Sequence, residues 1–277
     1  MELVHIYAQP TVKWQVRYAN ALRTAFVKFG YTVEVRTRHV APLSAMGVLN
    51  VLLGPNYWQS VQTECRQRGF NYLMVNRAYW GDPDYVCIGW NGFNGHADCI
   101  TENVDGQRWE RIKPYEPLPQ RHVDAWGNAV VMGQFHAHSF EYDNPDTWVD
   151  DALYETRLAW PGMHVAARPH PGKQNTGPLD AALRDCSLMV TLNSTVAIEG
   201  LLRGIPVVAQ DSGNALWSYV PQAVARANHQ PTPAERQLLL HRLAYCQWSC
   251  AEIPEAGFLE HLTQRNPVMT PMPVFTS

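Results

Sequence analysis

The sequence predicts an α/β protein of two Rossmann-like β/α/β domains facing a cleft, and three observations carry that expectation. Short apolar runs of strand length alternate with stretches of helical period, as a parallel sheet with crossover helices requires. The alternation stops at a proline-rich stretch, Arg111–Arg121 (RIKPYEPLPQR), and then starts again. The second series contains one β-α-β unit with clear punctuation, Leu188–Ser212. The expected domains are residues 1–115 and 125–250, followed by a C-terminal helix and tail over 251–277.

In order, Leu3–Ala8 reads as a strand that ends at Gln9-Pro10. Val12–Phe29 carries apolar residues at helical spacing and stops at Gly30. Thr32–Thr37 and Val48–Leu53 are further strands, Tyr57–Arg68 a helix closed by Gly69, and Tyr72–Val75 a fourth strand. Asn76–Asp105 breaks the rhythm, being dense in Gly, Asn, Asp and aromatic residues. Irregular segments at a strand's carboxyl end are common places for sites. Asp82, Asp84, His96 and Asp98 are therefore candidates for a general base, with Tyr79, Trp80, Trp90 and Phe93 as stacking surfaces for a sugar or a base; a packed aromatic loop with exposed acids is the alternative. Arg17, Arg23, Arg36, Arg38 and His39 make the first sixty residues the more basic end, either as solvated faces or as a groove for an anionic acceptor.

After the proline-rich stretch, the best candidate for an interdomain linker, Asn128–Gln134 reads as a strand, Thr147–Trp160 as a helix and His164–Ala167 as a strand running into Arg168-Pro169-His170-Pro171-Gly172. Leu179–Asp185 is a short helix. Pro233–Gln247 and Ala251–Leu262 close the series as helices. His136 and His138, like His96 with Asp98, have loose metal-ligand spacing, but two ligands without a third are more often ordinary loop residues, so no metal site is assigned.

Composition narrows the class. The 277 residues are 46% hydrophobic and 17% charged, which suits a folded enzyme-like chain, and the formal net charge of −3 argues against a protein held on nucleic acid by bulk phosphate neutralisation. No apolar run reaches the length of a membrane span and the first residues do not read as a signal peptide, so a cytoplasmic location is expected. The six cysteines show no CxxC pairing and are read as free thiols, several of them buried.

Within Leu188–Ser212, two apolar runs flank a helix whose start can be capped by Asn193, Ser194 or Thr195 and whose C′ glycine falls at Gly204, with Pro206 beyond. Unpaired N–H groups at such a start, set at a strand's carboxyl end, attract anions. Glu199 lies one turn further on in an otherwise apolar helix. A phosphate at the cap with ribose hydroxyls on Glu199 is one reading; an ordinary Glu199–Arg203 ion pair is the other. Arg168, His170 and Lys173 follow a neighbouring strand and suit a diphosphate, with a Pro-stiffened surface turn as the alternative.

NSTVAIEGLLRGIPVV (Asn193–Val208) resembles the nucleotide-sugar-binding unit of GT-B glycosyltransferases, capsule-polysaccharide and CDP-glycerol-type transferases in particular, and RPHPG (Arg168–Gly172) is similar to the His-Pro segment that precedes it there. NRAYWG (Asn76–Gly81), Asn91–Phe93 and LAYCQWSCAEI (Leu243–Ile253) resemble a phage-encoded family assigned as glycosyltransferases. The resemblance implies a GT-B-like arrangement: an acceptor-binding first domain, a nucleotide-sugar-binding second domain, and C-terminal helices crossing back to the first. It implies a donor such as UDP-glucose as substrate, with no cofactor. The phage-like relatives often carry Asp where this chain has Asn76, and an amide cannot accept a proton, so a base at that place must have moved.

The chain has no G-x-x-x-x-G-K-[ST] or G-x-S-x-G motif, and no G-x-G-x-x-G after the first strand, which removes the usual support for kinase, hydrolase and dinucleotide oxidoreductase readings. The leading expectation is a metal-independent glycosyltransferase. Arg168, His170, Lys173, Asn193, Ser194, Thr195 and Glu199 would bind the donor, and Asp82, His96 or Asp98 would deprotonate the acceptor. Hydroxymethylpyrimidine in phage DNA is favoured as acceptor over a surface glycan by the phage-like resemblance. A nucleotide-sugar epimerase and a non-catalytic nucleotide- or sugar-binding module are the alternatives.

Overall fold

The computed structural model describes residues 3–40, 43, 48–80, 84–98, 104–134, 145–172, 174–255 and 257–264. The chain forms two compact units. The first comprises Met1–Phe93, Ala97–Arg108 and Arg242–Ser277, and the second comprises Asn94–His96 and Trp109–His241.

In the first unit, strands β1 (Leu3–Tyr7), β2 (Thr32–Arg36), β3 (Val48–Leu53) and β4 (Tyr72–Arg77) are parallel, and β5 (Tyr85–Trp90) and β10 (Gln247–Ser249) extend the sheet antiparallel, in the order β10-β5-β4-β3-β1-β2. Helix α1 (Lys13–Lys28) buries Tyr18, Leu22, Ala25 and Phe26, one stripe at helical spacing, and α2 (Gln59–Arg68) buries Val61 and Cys65 over Tyr7, Leu52 and Met74. Asn76–Asp105, expected to be irregular, contains β5. Its run YVCIGW is buried on both faces, so it shows no alternation, and the surrounding Gly, Asn and Asp hide it from a periodicity reading. Helix α3 (Gln107–Ile112) follows.

The chain from Arg242 onward is part of this first unit. Strand β10 pairs with β5 through Gln247↔Cys87 and Trp248↔Val86, and helix α8 (Gly257–Gln264) buries Phe258, Leu259 and Leu262. The anchor is Arg108, whose side chain is 3% exposed. Its Nε donates to the carbonyls of Ala244 (2.9 Å) and Gln247 (3.1 Å), its two terminal nitrogens meet the Glu252 carboxylate at 3.1 Å each, and its guanidinium lies 3.9 Å from the Trp248 ring centroid. Burial works against the Glu252 charge, but Arg108 and the Ser249 N–H outweigh it and hold that carboxyl below its ordinary range.

In the second unit four parallel strands lie in the order β7-β6-β8-β9: β6 (Asn128–Met132), β7 (His164–Arg168), β8 (Cys186–Thr191) and β9 (Val207–Ala209). Helix α4 (Pro145–Ala159) links β6 to β7, α5 (Leu179–Leu183) links β7 to β8, and α6 (Val196–Leu202) links β8 to β9. Trp148 and Ala152 of α4 pack on Ala129, Val131, Leu188 and Val190. A Cβ on Gly200 of α6 would lie 2.9 Å from Met189 and Val207, so α6 covers the opposite face. Since β6 leads to β7 on one side and β8 to β9 on the other, the chain direction switches between β6 and β8. Helix α7 (Pro233–Tyr245) begins in this unit.

The proline-rich stretch, expected to be a linker, is docked on the second unit. Leu118 N–H donates to the carbonyl of Leu202 and Arg121 N–H to that of Gly204, both at 2.8 Å. These carbonyls belong to the end of α6, where a helix leaves its last acceptors unpaired. Gly204 is the expected C′ glycine: φ is +66°, and a Cβ there would meet the Pro119 carbonyl oxygen. Cys65, Cys87, Cys186 and Cys246 are buried and Cys250 is half-buried, while Cys99 lies outside the described residues. Among the described residues no helix is long and apolar enough to cross a membrane.

Two outcomes are expected for the first unit. Arg108→Met keeps the apolar stem but strands the Glu252 charge, and removing one partner of a buried pair costs about 3–5 kcal/mol, which urea unfolding reads as a lower midpoint. His5 is 1% exposed, with Nε2 3.4 Å from Glu34. Burial first, and Arg36 second, lower its pKa against the opposing pull of Glu34. The unfolded chain then binds the proton more readily, so this contribution to stability is whole above the unfolded value of 6.5 and is lost as pH falls below it. Thermal melts between pH 7.5 and 5 should show a shallower decline for His5→Gln than for the wild type; parallel declines would contradict this.

Candidate functional site

Ligands of open α/β sheets bind beyond the carboxyl ends of the strands, at the point where strand order reverses. In the second unit this point lies between β6 and β8, and it gathers the ends of all four strands.

Arg168 is the last residue of β7. Its Nη2 donates to the Gly177 carbonyl at 2.9 Å, which ties the guanidinium to the segment that follows. His170 accepts the Gly172 N–H on Nδ1 at 3.0 Å, so in the neutral ring Nε2 carries the proton and is a donor. Lys173, the third expected phosphate ligand, lies outside the described residues. At the start of α6 the three capping candidates divide. Ser194 Oγ accepts the Val196 N–H at 3.3 Å, whereas Thr195, at the N-cap position with helical φ and ψ, makes no side-chain cap bond. A residue already in the helical region cannot turn its hydroxyl onto the N–H groups ahead of it as an extended N-cap does. Asn193 precedes them, half-buried.

Glu199 sits one turn into α6 with its side chain 23% exposed. Its Oε1 accepts two hydrogen bonds, from Tyr115 OH at 2.7 Å and from Arg203 Nε at 2.6 Å. Arg203 Nη2 reaches Asp180 of α5 at 2.5 Å. The ordinary ion pair is therefore present, within a four-residue network that includes two partners not anticipated from spacing. Burial disfavours the Arg203 charge, but its bond to Glu199 outweighs that and raises its pKa; burial, then the bond to Glu199, raises that of Tyr115. Tyr115 lies within the proline-rich stretch, where nothing in the local pattern signals a partner 84 positions away.

The candidate bases separate. Asp82 lies outside the described residues, as do His136 and His138. Asp84 is paired with Arg17 at 2.5 Å on an exposed surface. Asp98 exchanges both backbone hydrogen bonds with Trp90 in an isolated bridge of the first unit. Asn76 lies on β4, opposite Cys87. His96 belongs to the second unit, with Nε2 3.2 Å from Ser212 Oγ. Gly95 N–H donates to the Gly213 carbonyl at 3.0 Å, and a Cβ on Gly95 would lie 2.3 Å from the carbonyl oxygens of Ser212 and Asn214, so no other residue fits between. The turn that receives it is set by buried Asp211, whose Oδ1 accepts the Gly213 N–H, and by Asn214, which donates to the Leu192 carbonyl. Among the described residues no three His, Cys, Asp or Glu side chains gather as metal ligands. Of the basic residues near the N-terminus, Arg17, Arg36 and His39 are paired with Asp84, Glu34 and Glu64, which favours solvated faces over an anion groove.

No protein-family model and no curated protein sequence matches the chain. Solved structures do. The Thermosulfurimonas dismutans KpsC beta Kdo 2,7 transferase superposes with a TM-score of 0.54 at 14% identity, covering 94% of this chain and 100% of that one. The beta Kdo 2,4 transferase of the same KpsC gives a TM-score of 0.50 at 10% identity, covering 87% of this chain and 89% of that one. At these identities the likeness is one of fold, and it agrees with the α/β class of two Rossmann-like units read from the sequence.

Proposed function

We propose that this protein is a glycosyltransferase that moves a sugar from a nucleotide-sugar donor to an acceptor hydroxyl, with the donor held at the carboxyl edge of the second unit's sheet. What supports the reading is the set of groups that follow the strands beside the β6/β8 switch point, Arg168 at the end of β7, His170 with Nε2 as a donor, and Ser194 and Thr195 between β8 and α6, with the Glu199 carboxylate one turn into that helix. Such donors stabilise the negative charge that grows on a departing nucleotide, and the reading requires no divalent metal. The acceptor oxygen attacks the anomeric carbon, the bond to phosphate breaks with its electron pair, and the acceptor proton passes to a base. His96 is preferred over Asp98 for that step because it belongs to the same unit as the donor residues. Glu199 offers Oε2, which has no partner among the described residues, to a ribose hydroxyl.

The resemblance of Asn193–Val208 to capsule-polysaccharide transferases and the fold shared with two Kdo transferases make a glycan hydroxyl the first acceptor to test. Hydroxymethylpyrimidine DNA rests on the phage-like resemblance alone and is the second. UDP, GDP, CDP and CMP sugars are to be titrated calorimetrically and assayed for transfer to each acceptor. Glu199→Ala is expected to weaken donor binding about tenfold or more, as loss of one charge-assisted hydrogen bond implies, while costing the fold only about 1–2 kcal/mol for the partners left behind. Unchanged donor affinity would confine Glu199 to its network with Tyr115 and Arg203 and move the donor elsewhere.

A further inference from the structure

The last row of the second sheet contains polar groups that its own fold does not satisfy. Arg168, Met132 and Thr191 are register partners across β7, β6 and β8, so their side chains leave the sheet on one side. Met189, two residues before Thr191, lies against Gly200 of α6, which identifies that side as the one α6 covers. Beyond Met132, Gly133 N–H still pairs with the Arg168 carbonyl at 2.9 Å, and Gln134 follows it. Thr191 is fully buried and Gln134 is 8% exposed. Thr191 Oγ1, Gln134 Nε2 and Arg168 Nε are all buried without a hydrogen-bond partner among the described residues.

A buried polar atom left unpaired costs stability, and these three share one switch point. Their chemistry is also one-sided. An arginine Nε–H and an amide NH2 can only donate, and a threonine hydroxyl can donate. What this row lacks is an acceptor, and a group with several acceptor oxygens and negative charge meets the need best. We propose that Gln134, Thr191 and the Nε–H of Arg168 form the floor of a phosphate subsite at the β6/β8 switch point, beneath the segment that carries Gly177. The inference rests on the donor-site reading above and deepens it. Arg168 would serve two masters there, with Nη2 fixed on the Gly177 carbonyl and Nε turned to the phosphate. Gln134 and Thr191 would be binding residues for the donor's phosphate, neither of them apparent from motif or charge.

The test uses the whole chain, inorganic phosphate as the probe, and acetate as a carboxylate control at matched ionic strength. Thr191→Val and Gln134→Leu replace the donors with apolar groups of similar shape. Each is expected to lower phosphate affinity about tenfold or more, read by 31P line broadening and by the phosphate-induced rise in melting temperature. Comparing variant with wild type cancels the general stabilising action of phosphate as an excluded salt. Without phosphate, Thr191→Val is expected to melt at or above the wild-type temperature, because an unpaired hydroxyl is replaced by a methyl group. Wild-type phosphate affinity in both variants would overturn the subsite, as would acetate binding as well as phosphate. So would a large loss of melting temperature in Thr191→Val with phosphate response intact, since the hydroxyl would then be satisfied internally. If donor transfer depends on Glu199 while both variants bind phosphate normally, the transferase reading stands and the subsite falls. If phosphate binding depends on Thr191 but no sugar is transferred to any acceptor, the subsite stands and the transferase reading falls.

Discussion

Strands β6 and β8 are neighbours that send their chains to opposite faces of the sheet, and the second unit depends on that constraint. Crossovers between parallel strands are right-handed, so a connection moving one way across the sheet lies on one face and a connection moving the other way lies on the opposite face. Helix α4 therefore covers one side with Trp148 and Ala152, while α6 covers the other with Gly200 pressed against Met189 and Val207. Neither helix can close the gap beyond the ends of β6 and β8. Polar side chains end these strands: Arg168 closes β7, Thr191 closes β8, and Gln134 follows β6.

Helix α6 has only seven residues, and its ends are treated differently. At its C-terminus the chain spends two backbone N–H groups, from Leu118 and Arg121, on carbonyls at the helix end, and buried Arg236 adds a bond to the Leu118 carbonyl at 2.5 Å. Prolines on either side keep that strap extended and remove donors that would otherwise need partners. At the N-terminus only Ser194 contributes a cap bond. The helix is thus held by the strap at its C-terminal end, while at its start the N–H groups of Val196, Ala197 and Ile198 turn to Ser194 and Thr195. Glu199 lies between. Its network with Tyr115, Arg203 and Asp180 positions one carboxylate oxygen and leaves the other free of partners among the described residues, so the ion pair and a role in binding are compatible.

The first unit uses charge to hold its own parts together. Arg108 binds two backbone carbonyls, a carboxylate and an indole face of the segment that returns from the second unit, and in doing so fixes β10 at the sheet edge. Strand β5 pairs antiparallel with β4, and the three-residue β10 pairs antiparallel with β5, which finishes the sheet on a short edge strand. His5 lies in a polar row that runs from Glu34 through His5 to Asn50, all register partners, beneath the apolar cover of α2. Burying an ionisable ring there makes the stability of this unit sensitive to acid.

By itself the sequence determined the parts that obey local rules. Strands β1, β3, β6 and β8, helices α1, α2, α4 and α6, and the C′ glycine at Gly204 were legible because apolar periodicity and glycine stereochemistry depend only on neighbours in the chain. So were the positions of Arg168 at the end of β7 and of Ser194 before α6, since residues at a strand's end or a helix's start are marked by the element they adjoin. Strand β5 was hidden because a strand buried on both faces has no alternation to read. The docking of the proline-rich stretch on α6 was hidden because proline content reports stiffness and not what a segment rests on. Tyr115 beside Glu199, Arg108 beneath Trp248, and the unpaired row of Arg168, Thr191 and Gln134 were decided only in three dimensions. Their partners are far away in the chain or, for that row, absent from it, and a hydrogen bond's worth is set by burial, which only the packed structure supplies.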